Sequence, residues 1–134
     1  MDQDSIDIIQ NSWLKIAGSE GLLVDEFYSA LMAVRPDFRR FFPQTMLTQK
    51  RKFLTMIETL VNVLPHFYSF APKLHHLGQQ HSHLGLTLLD YQVFCKVFVD
   101  TLSANAKPRL SPEEAEVWLA VLDEICLMML DSEA

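Results

Sequence analysis

Apolar residues recur every three or four positions along the chain, and no segment alternates strictly between apolar and polar residues. The first spacing is typical of amphipathic α-helices, and strict alternation is typical of strands. The pattern predicts an all-α protein of about seven helices joined by short loops. The predicted elements are a helix that carries Ile6, Ile9, Trp13 and Ile16 and ends at Gly18, a helix from about Glu20 to Val34, a helical turn at Asp37–Phe42, a long helix from about Thr48 to Leu64, a helix from about Pro72 through His81, a helix marked by Tyr91, Phe94, Cys95, Phe98 and Leu102, and a helix from Ser111 through Met129.

Two of these helices have recognisable starting sequences. The run Ser111-Pro112-Glu113-Glu114 has the composition of a capping box with a proline in the first turn. Pro72 likewise suits the first position of a helix, where the missing amide proton costs nothing. We therefore expect the helix that carries His81 to begin near Pro72.

His81 lies in an apolar stripe. At 100° per residue it shares one helical face with Leu74, Leu77 and Leu84. An imidazole that faces the interior needs a partner for its ring nitrogens, and a metal ion is one such partner. The alternative is a core histidine that bonds to a nearby polar group, and the stripe alone leaves both interpretations open.

The neighbouring histidines do not have the spacing of a zinc site. His76 and His83 share a helical face but lie two turns apart, too far to ligate one ion unaided. The chain also contains no CxxC or HExxH pattern. We therefore expect no structural zinc.

Three more polar residues fall on predicted inner faces, namely Tyr28, Gln49 and Tyr91. A buried phenol or amide must find a hydrogen-bond partner. Each of them is either a core group bonded to a nearby carbonyl or part of a binding site, and the pattern alone leaves both open.

Length and charge indicate how many domains the chain forms and which kinds of partner are disfavoured. The 134 residues are expected to form one domain, residues 1–134, and the formal net charge of −6 disfavours nucleic acid and anionic membranes as main partners. No apolar run is long enough to span a membrane, and the acidic N-terminus lacks the apolar segment of a secretion signal. These features together predict a cytoplasmic protein.

Cys95 and Cys126 lie in apolar segments, so we expect two buried free thiols, with a disulfide as the alternative. Met128 and Met129 in the last helix belong either to the core or to a dimer face. We expect a monomer or a weak homodimer.

Several motifs in order resemble those of a known family. The run Leu74-x-x-Leu77-Gly78-x-x-His81-x-x-x-Gly85-Leu86 resembles the proximal helix of globins. Globins also carry a proline followed six residues later by a phenylalanine, as at Pro36 and Phe42 here. Tyr28 lies fourteen residues before Phe42, and Gln49 and Phe53 lie seven and eleven residues after it. Over nearly its full length the chain resembles bacterial single-domain globins, which are related to the haem domain of flavohaemoglobins.

The resemblance implies a globin fold around haem b (iron protoporphyrin IX) and a role for each residue. His81 would be the iron ligand, with its second ring nitrogen bonded to the Leu77 carbonyl or to a side chain. Phe42 would stack on the haem, Phe53 would form an apolar wall, and Tyr28 and Gln49 would donate hydrogen bonds to bound dioxygen. Lys52 would pair with a propionate, and Tyr91 would lie near His81, with Glu133 as a candidate third member of that network.

The resemblance also implies function. The first hypothesis is tight, reversible binding of dioxygen for storage, delivery or sensing, with carbon monoxide and nitric oxide as further ligands. The second is nitric oxide dioxygenation, or a peroxidase-like side activity, for which we expect the electrons to come from an external reductase. The third is a helical interaction module without haem, whose inner polar residues pair with one another.

Overall fold

The computed structural model describes the backbone of residues 1–133 and the side chains of residues 1–131. Within these residues the chain forms six α-helices and no strand, which confirms the predicted all-α class. The helices are α1 (Gln3–Trp13), α2 (Glu20–Val34), α3 (Leu47–Val63), α4 (Phe67–His81), α5 (Leu88–Asn105) and α6 (Pro112–Glu133). Short 3₁₀ turns lie at Leu14–Ile16, Pro36–Phe41, Leu64–His66 and Ser82–Leu84. The helical turn predicted at Asp37–Phe42 is the second of these 3₁₀ turns.

The start of α4 differs from the prediction. The helix begins at Phe67, and Pro72 lies inside it rather than in its first turn. The apolar face of the helix extends back through Phe70 to Phe67, and the burial of both rings offsets the hydrogen bond that Pro72 cannot donate. The carbonyl left without that bond belongs to Tyr68, a residue that is 79% exposed, so water can solvate it.

The capping box predicted at the start of α6 is confirmed. Ser111 Oγ accepts a hydrogen bond from the Glu114 amide at 3.1 Å, and Glu114 Oε1 accepts one from the Ser111 amide at 2.8 Å. Lys15 Nζ lies 2.8 Å from the same carboxylate. Lys15 and the Ser111 amide together hold the pKa of Glu114 below its ordinary value. The cap therefore also ties α6 to the turn that follows α1.

The helices pack so that α4 lies against α6 and away from α3. The contact between α4 and α6 is the most extensive in the fold, followed by those of α5 with α6 and α2 with α5. Gly78 permits the approach, because a Cβ there would overlap the carbonyl oxygen of Met129 and lie 2.9 Å from its Cα. In contrast, α3 contacts α2 and α1 but makes at most marginal contact with α4. The two helices on either side of this gap carry most of the candidate site residues.

The two cysteines are buried free thiols, as predicted, with their Sγ atoms 3.3 Å apart between α5 and α6. The hydrogen bond between them and their burial raise the pKa of Cys95, so this thiol stays neutral and unreactive. Met129 belongs to the core, and Met128 is half-buried.

In residues 1–133, no helix has both the length and the apolar content that crossing a bilayer requires.

We expect Gly78→Ala to lower the free energy of unfolding by about 1–3 kcal/mol, because the added methyl group overlaps the Met129 backbone. Gly21→Ala in α2 is the matched control, since a Cβ there meets nothing within 4 Å. That control should instead stabilise the protein by about 0.5–1 kcal/mol, through the helix propensity of alanine. Urea unfolding followed by circular dichroism measures both, and equal effects of the two substitutions would contradict the close contact.

Candidate functional site

The imidazole of His81 is held by the backbone of its own helix. His81 is the last residue of α4 and is half-buried, and its Nδ1 lies 2.7 Å from the Leu77 carbonyl oxygen one turn earlier. Because a carbonyl can only accept, the proton sits on Nδ1 and Nε2 carries the lone pair. Among the described side chains, Nε2 has no hydrogen-bond partner. The ring is therefore oriented, with one basic nitrogen available to a ligand.

The apolar stripe that carries His81 becomes more exposed toward its C-terminal end. Leu74 is 1% exposed, whereas Leu77, His81 and Leu84 are half-buried. Gly85 then adopts a φ of +67°, a conformation that favours glycine, and ends the 3₁₀ turn after α4. His81 consequently lies at the border of the core, where an added group can reach it.

Tyr28 and Gln49 form a polar pair between α2 and α3. The Gln49 side-chain amide donates to the Tyr28 hydroxyl oxygen at 3.2 Å. Tyr28 is 3% exposed, and this burial raises its pKa to about 12, although the hydrogen bond from Gln49 opposes the shift. Tyr28 is therefore a neutral phenol at physiological pH.

Two aromatic rings flank this polar pair. The Phe42 and Phe53 rings meet the Tyr28 ring edge-on, with centroids 5.4 Å and 5.7 Å away. Phe53 also stacks on Phe27 at 5.1 Å and meets Phe94 at 5.6 Å. The structure thus brings the candidate residues Tyr28, Gln49, Phe42 and Phe53 together. The rings of Phe27 and Phe94 pack against Phe53 and support this group.

Arg39 is a structural residue near the site that the sequence analysis did not identify. Its guanidinium donates to the carbonyl oxygens of Phe42, Pro43 and Gln44, at 3.1, 2.9 and 3.0 Å. These bonds hold the loop that carries Phe42 before α3 begins. A short loop after a 3₁₀ turn leaves carbonyl oxygens without backbone donors. An arginine beside such a loop can supply those donors, and this was the sequence signal that could have identified Arg39.

An open groove separates α3 from α4. Lys52 and Met56 line it from α3, and Lys73 and Leu77 line it from α4. Lys52 is exposed and forms no ion pair with the described residues. The neighbouring Lys50 instead pairs with Asp25, its Nζ lying 3.0 Å from a carboxylate oxygen.

Tyr91 is buried in the first half of α5, at 7% exposure. The side chain of Glu133, the candidate third member of its network, lies outside the described residues. The proposed association of Tyr91 with His81 therefore stays a prediction.

The donor chemistry around His81 restricts the kind of metal group that fits. Among the described residues, no three histidine, cysteine, aspartate or glutamate side chains come together to hold an ion. A metal on Nε2 of His81 would therefore need most of its ligands from a group other than the chain. A tetrapyrrole supplies four nitrogens, and the aromatic walls and the gap between α3 and α4 suit a flat apolar group.

Comparison with known proteins identifies a family. The family model described as Globin matches residues 25–129, which is well over half of the chain. No curated protein matches the chain. The matched residues run from α2 to the last turns of α6 and include every candidate site residue except Glu133.

The raised pKa of Tyr28 predicts a loss of stability at alkaline pH. The folded state keeps the phenol protonated, so its contribution is complete below pH 10 and is lost as pH rises from 10 toward 12. We expect this loss to be of the order of 2 kcal/mol and to vanish in Tyr28→Phe. Urea unfolding at a series of pH values measures it, with the exposed Tyr68→Phe as control. An identical pH dependence in wild type and Tyr28→Phe would show that Tyr28 is not buried.

Proposed function

This chain belongs to the globin family, and from that premise we propose that it binds dioxygen tightly and reversibly, as a single-domain globin of the bacterial type. Membership of the family implies a haem cofactor and diatomic gas ligands. The observation that carries the proposal is the presence of two chemically matched groups in one fold. One is an imidazole whose Nε2 is available, and the other is a phenol–amide pair flanked by aromatic rings.

We propose that haem b binds between α3 and α4, where its iron would be held by an imidazole and would bind the gas. His81 would bind the iron through Nε2. The hydrogen bond from Nδ1 to the Leu77 carbonyl supports this role, because it selects the tautomer and fixes the orientation of the ring. Phe42 and Phe53 would exclude water, and Lys52 would pair with a propionate.

The hydrogen bond between Tyr28 and Gln49 determines what the phenol can do. Since Gln49 donates to the Tyr28 oxygen, the phenolic proton is still available to a further acceptor. Dioxygen that carries partial negative charge is such an acceptor. A pKa of about 12 also keeps this proton in place, which favours Tyr28 as a donor over tyrosinate as a ligand of ferric iron. Gln49 would orient the phenol and serve as a second donor.

Nitric oxide dioxygenation is the alternative use of the same residues, because dioxygen held by Tyr28 and Gln49 is a co-substrate of that reaction. It requires an external reductase to restore the ferrous state after each turnover. Sustained conversion of nitric oxide to nitrate with a reductase would favour this alternative, and a single turnover would favour dioxygen binding.

We expect His81→Ala to abolish stable ligation of added hemin, because Nε2 of this residue is the proposed iron ligand. His75→Ala, which removes an exposed imidazole from the same helix, is the matched control and should bind hemin as wild type does. Absorption spectra of the ferric and ferrous forms report the ligand. A histidine-ligated spectrum in His81→Ala would show that another residue binds the iron.

We expect Tyr28→Phe to release dioxygen about 10- to 100-fold faster, because a hydrogen bond to a charged acceptor contributes about 1.5–3 kcal/mol. Stopped-flow displacement of dioxygen by carbon monoxide measures the rate, and Tyr68→Phe in α4 is the control. An unchanged release rate in Tyr28→Phe would mean that the phenolic proton does not reach the gas.

A further inference from the structure

One guanidinium at the end of α2 joins two segments that are far apart in the chain. Arg35 precedes Pro36, which disfavours the helical conformation, and it ends α2 with a φ of −132° and a ψ of 80°. Its Nε and Nη2 lie 2.9 and 2.8 Å from the two carboxylate oxygens of Asp37. Its Nη1 lies 3.1 Å from Oδ1 of Asp90, in the first turn of α5. All three guanidinium nitrogens therefore contact a carboxylate, and we call Arg35, Asp37 and Asp90 together the Arg35 bridge.

The Arg35 bridge has more contacts than a simple surface ion pair. The guanidinium lies over the buried ring of Phe38, with Cζ 4.3 Å from the ring centroid. Oδ2 of Asp90 accepts a hydrogen bond from the Thr87 amide at 3.0 Å, as part of the capping box that begins α5. The Thr87 amide and Arg35 hold the pKa of Asp90 below its ordinary value, so this carboxylate stays charged. An isolated exposed pair contributes little, whereas a bidentate arginine within a network of contacts holds its partners more firmly.

Each end of the bridge belongs to a segment that adjoins the proposed haem site. One end lies in the 3₁₀ turn Pro36–Phe41, which leads directly to Phe42 and then to α3. At the other end, Asp90 holds Thr87, which lies six residues after His81 and closes the segment that connects α4 to α5. The bridge thus joins the segment before α3 to the segment after α4, and these are the two helices that border the gap.

Few other contacts among the described residues join these two segments. The turn Pro36–Phe41 makes at most marginal contact with α5, and α3 makes at most marginal contact with α4. The helices α2 and α5 do pack together, but their aromatic contacts lie further from the start of α5, where the Phe27 ring meets Phe94 and Phe98 at 4.9 and 5.4 Å. The Arg35 bridge extends this packing to the first turn of α5, beside the turn that leads to Phe42.

We infer that Arg35 is a positioning residue for haem retention, an inference that rests on the proposed function. In the described structure Arg35 does not line the groove between α3 and α4, so it acts through the segments that it joins. One of these carries Phe42, the proposed stacking ring, and the other follows His81, the proposed iron ligand. Loss of haem requires the walls of its site to separate, and the Arg35 bridge opposes that separation.

The test compares the loss of hemin from the loaded wild type, Arg35→Met and Lys15→Met. Methionine retains an unbranched side chain but cannot bind a carboxylate. Lys15 is the matched control because its ion pair with Glu114 also joins two elements and has similar exposure, 25% and 19% against 28% and 16% for Arg35 and Asp90. Its elements, the turn after α1 and the first turn of α6, carry no candidate site residue. The measured quantity is the rate at which hemin passes to an excess of apomyoglobin.

At low salt we expect Arg35→Met to lose hemin about three- to tenfold faster than wild type, and Lys15→Met to stay within about twofold. The difference between wild type and Arg35→Met should shrink as salt rises from about 10 to about 500 mM, because ions screen the bridge. Arg35→Lys should resemble Arg35→Met, since one ammonium group lacks the fork that reaches both carboxylates.

Three results would overturn the inference. Equal rates in wild type and Arg35→Met would show that the bridge does not retain haem. Equal acceleration in Lys15→Met would show that any lost ion pair has this effect. A wild-type rate in Arg35→Lys would show that a positive charge suffices without the bridge.

A second readout does not depend on haem. Hydrogen exchange is measured on the protein as purified, at two amides that are bonded within the joined segments. The Phe42 amide donates to a carbonyl oxygen of its own turn at 3.2 Å, and the Thr87 amide donates to the Asp90 carboxylate at 3.0 Å. We expect both amides to exchange faster in Arg35→Met and at the wild-type rate in Lys15→Met.

The two readouts separate failure of this inference from failure of the proposed function. If wild type ligates hemin but exchange at both amides is unchanged in Arg35→Met, the inference is wrong and the proposed function stands. If wild type does not ligate hemin, the proposed function is wrong and the role in haem retention is overturned with it. Faster exchange in Arg35→Met would then still identify Arg35 as the link between the two segments.

Discussion

The close contact of Gly78 with the backbone of Met129 determines where α4 lies. Because the glycine has no side chain, α4 approaches α6 more closely than any other residue at this position would allow. On its other side, α4 makes at most marginal contact with α3. The gap between these two helices, and with it the room for a flat prosthetic group, therefore depends on a packing contact at the opposite face of α4.

Two hydrogen-bonded pairs, at 2.7 and 3.2 Å, define the chemistry that the site can perform. The bond from His81 to the Leu77 carbonyl fixes one ring nitrogen as a donor and leaves the other basic. The bond from Gln49 to the Tyr28 oxygen leaves the phenolic proton available, and burial keeps it bound. His81 thus offers a nitrogen lone pair, and Tyr28 offers a phenolic proton. A haem iron that binds a gas would need both groups, one to hold the metal and one to donate to the gas.

Features of the fold that arise from local sequence were predictable. The periodicity of apolar residues located the helices. The Ser111–Glu114 capping box formed as expected because both of its hydrogen bonds join residues close in the sequence. The expected helix start at Pro72 was wrong, because the burial of Phe67 and Phe70 is a tertiary effect. The pairing of Tyr28 with Gln49 joins residues twenty-one positions apart, so the sequence alone could only offer each as a polar residue in need of a partner.

The central claim is that this fold holds one haem through His81. Titration of the purified protein with hemin, followed by absorption spectroscopy of the ferric, ferrous and carbonmonoxy forms, tests it most directly. The account predicts saturation at one hemin per chain, with spectra of histidine-ligated haem b in each state. A folded protein whose spectrum shows only free hemin at every ratio would contradict it.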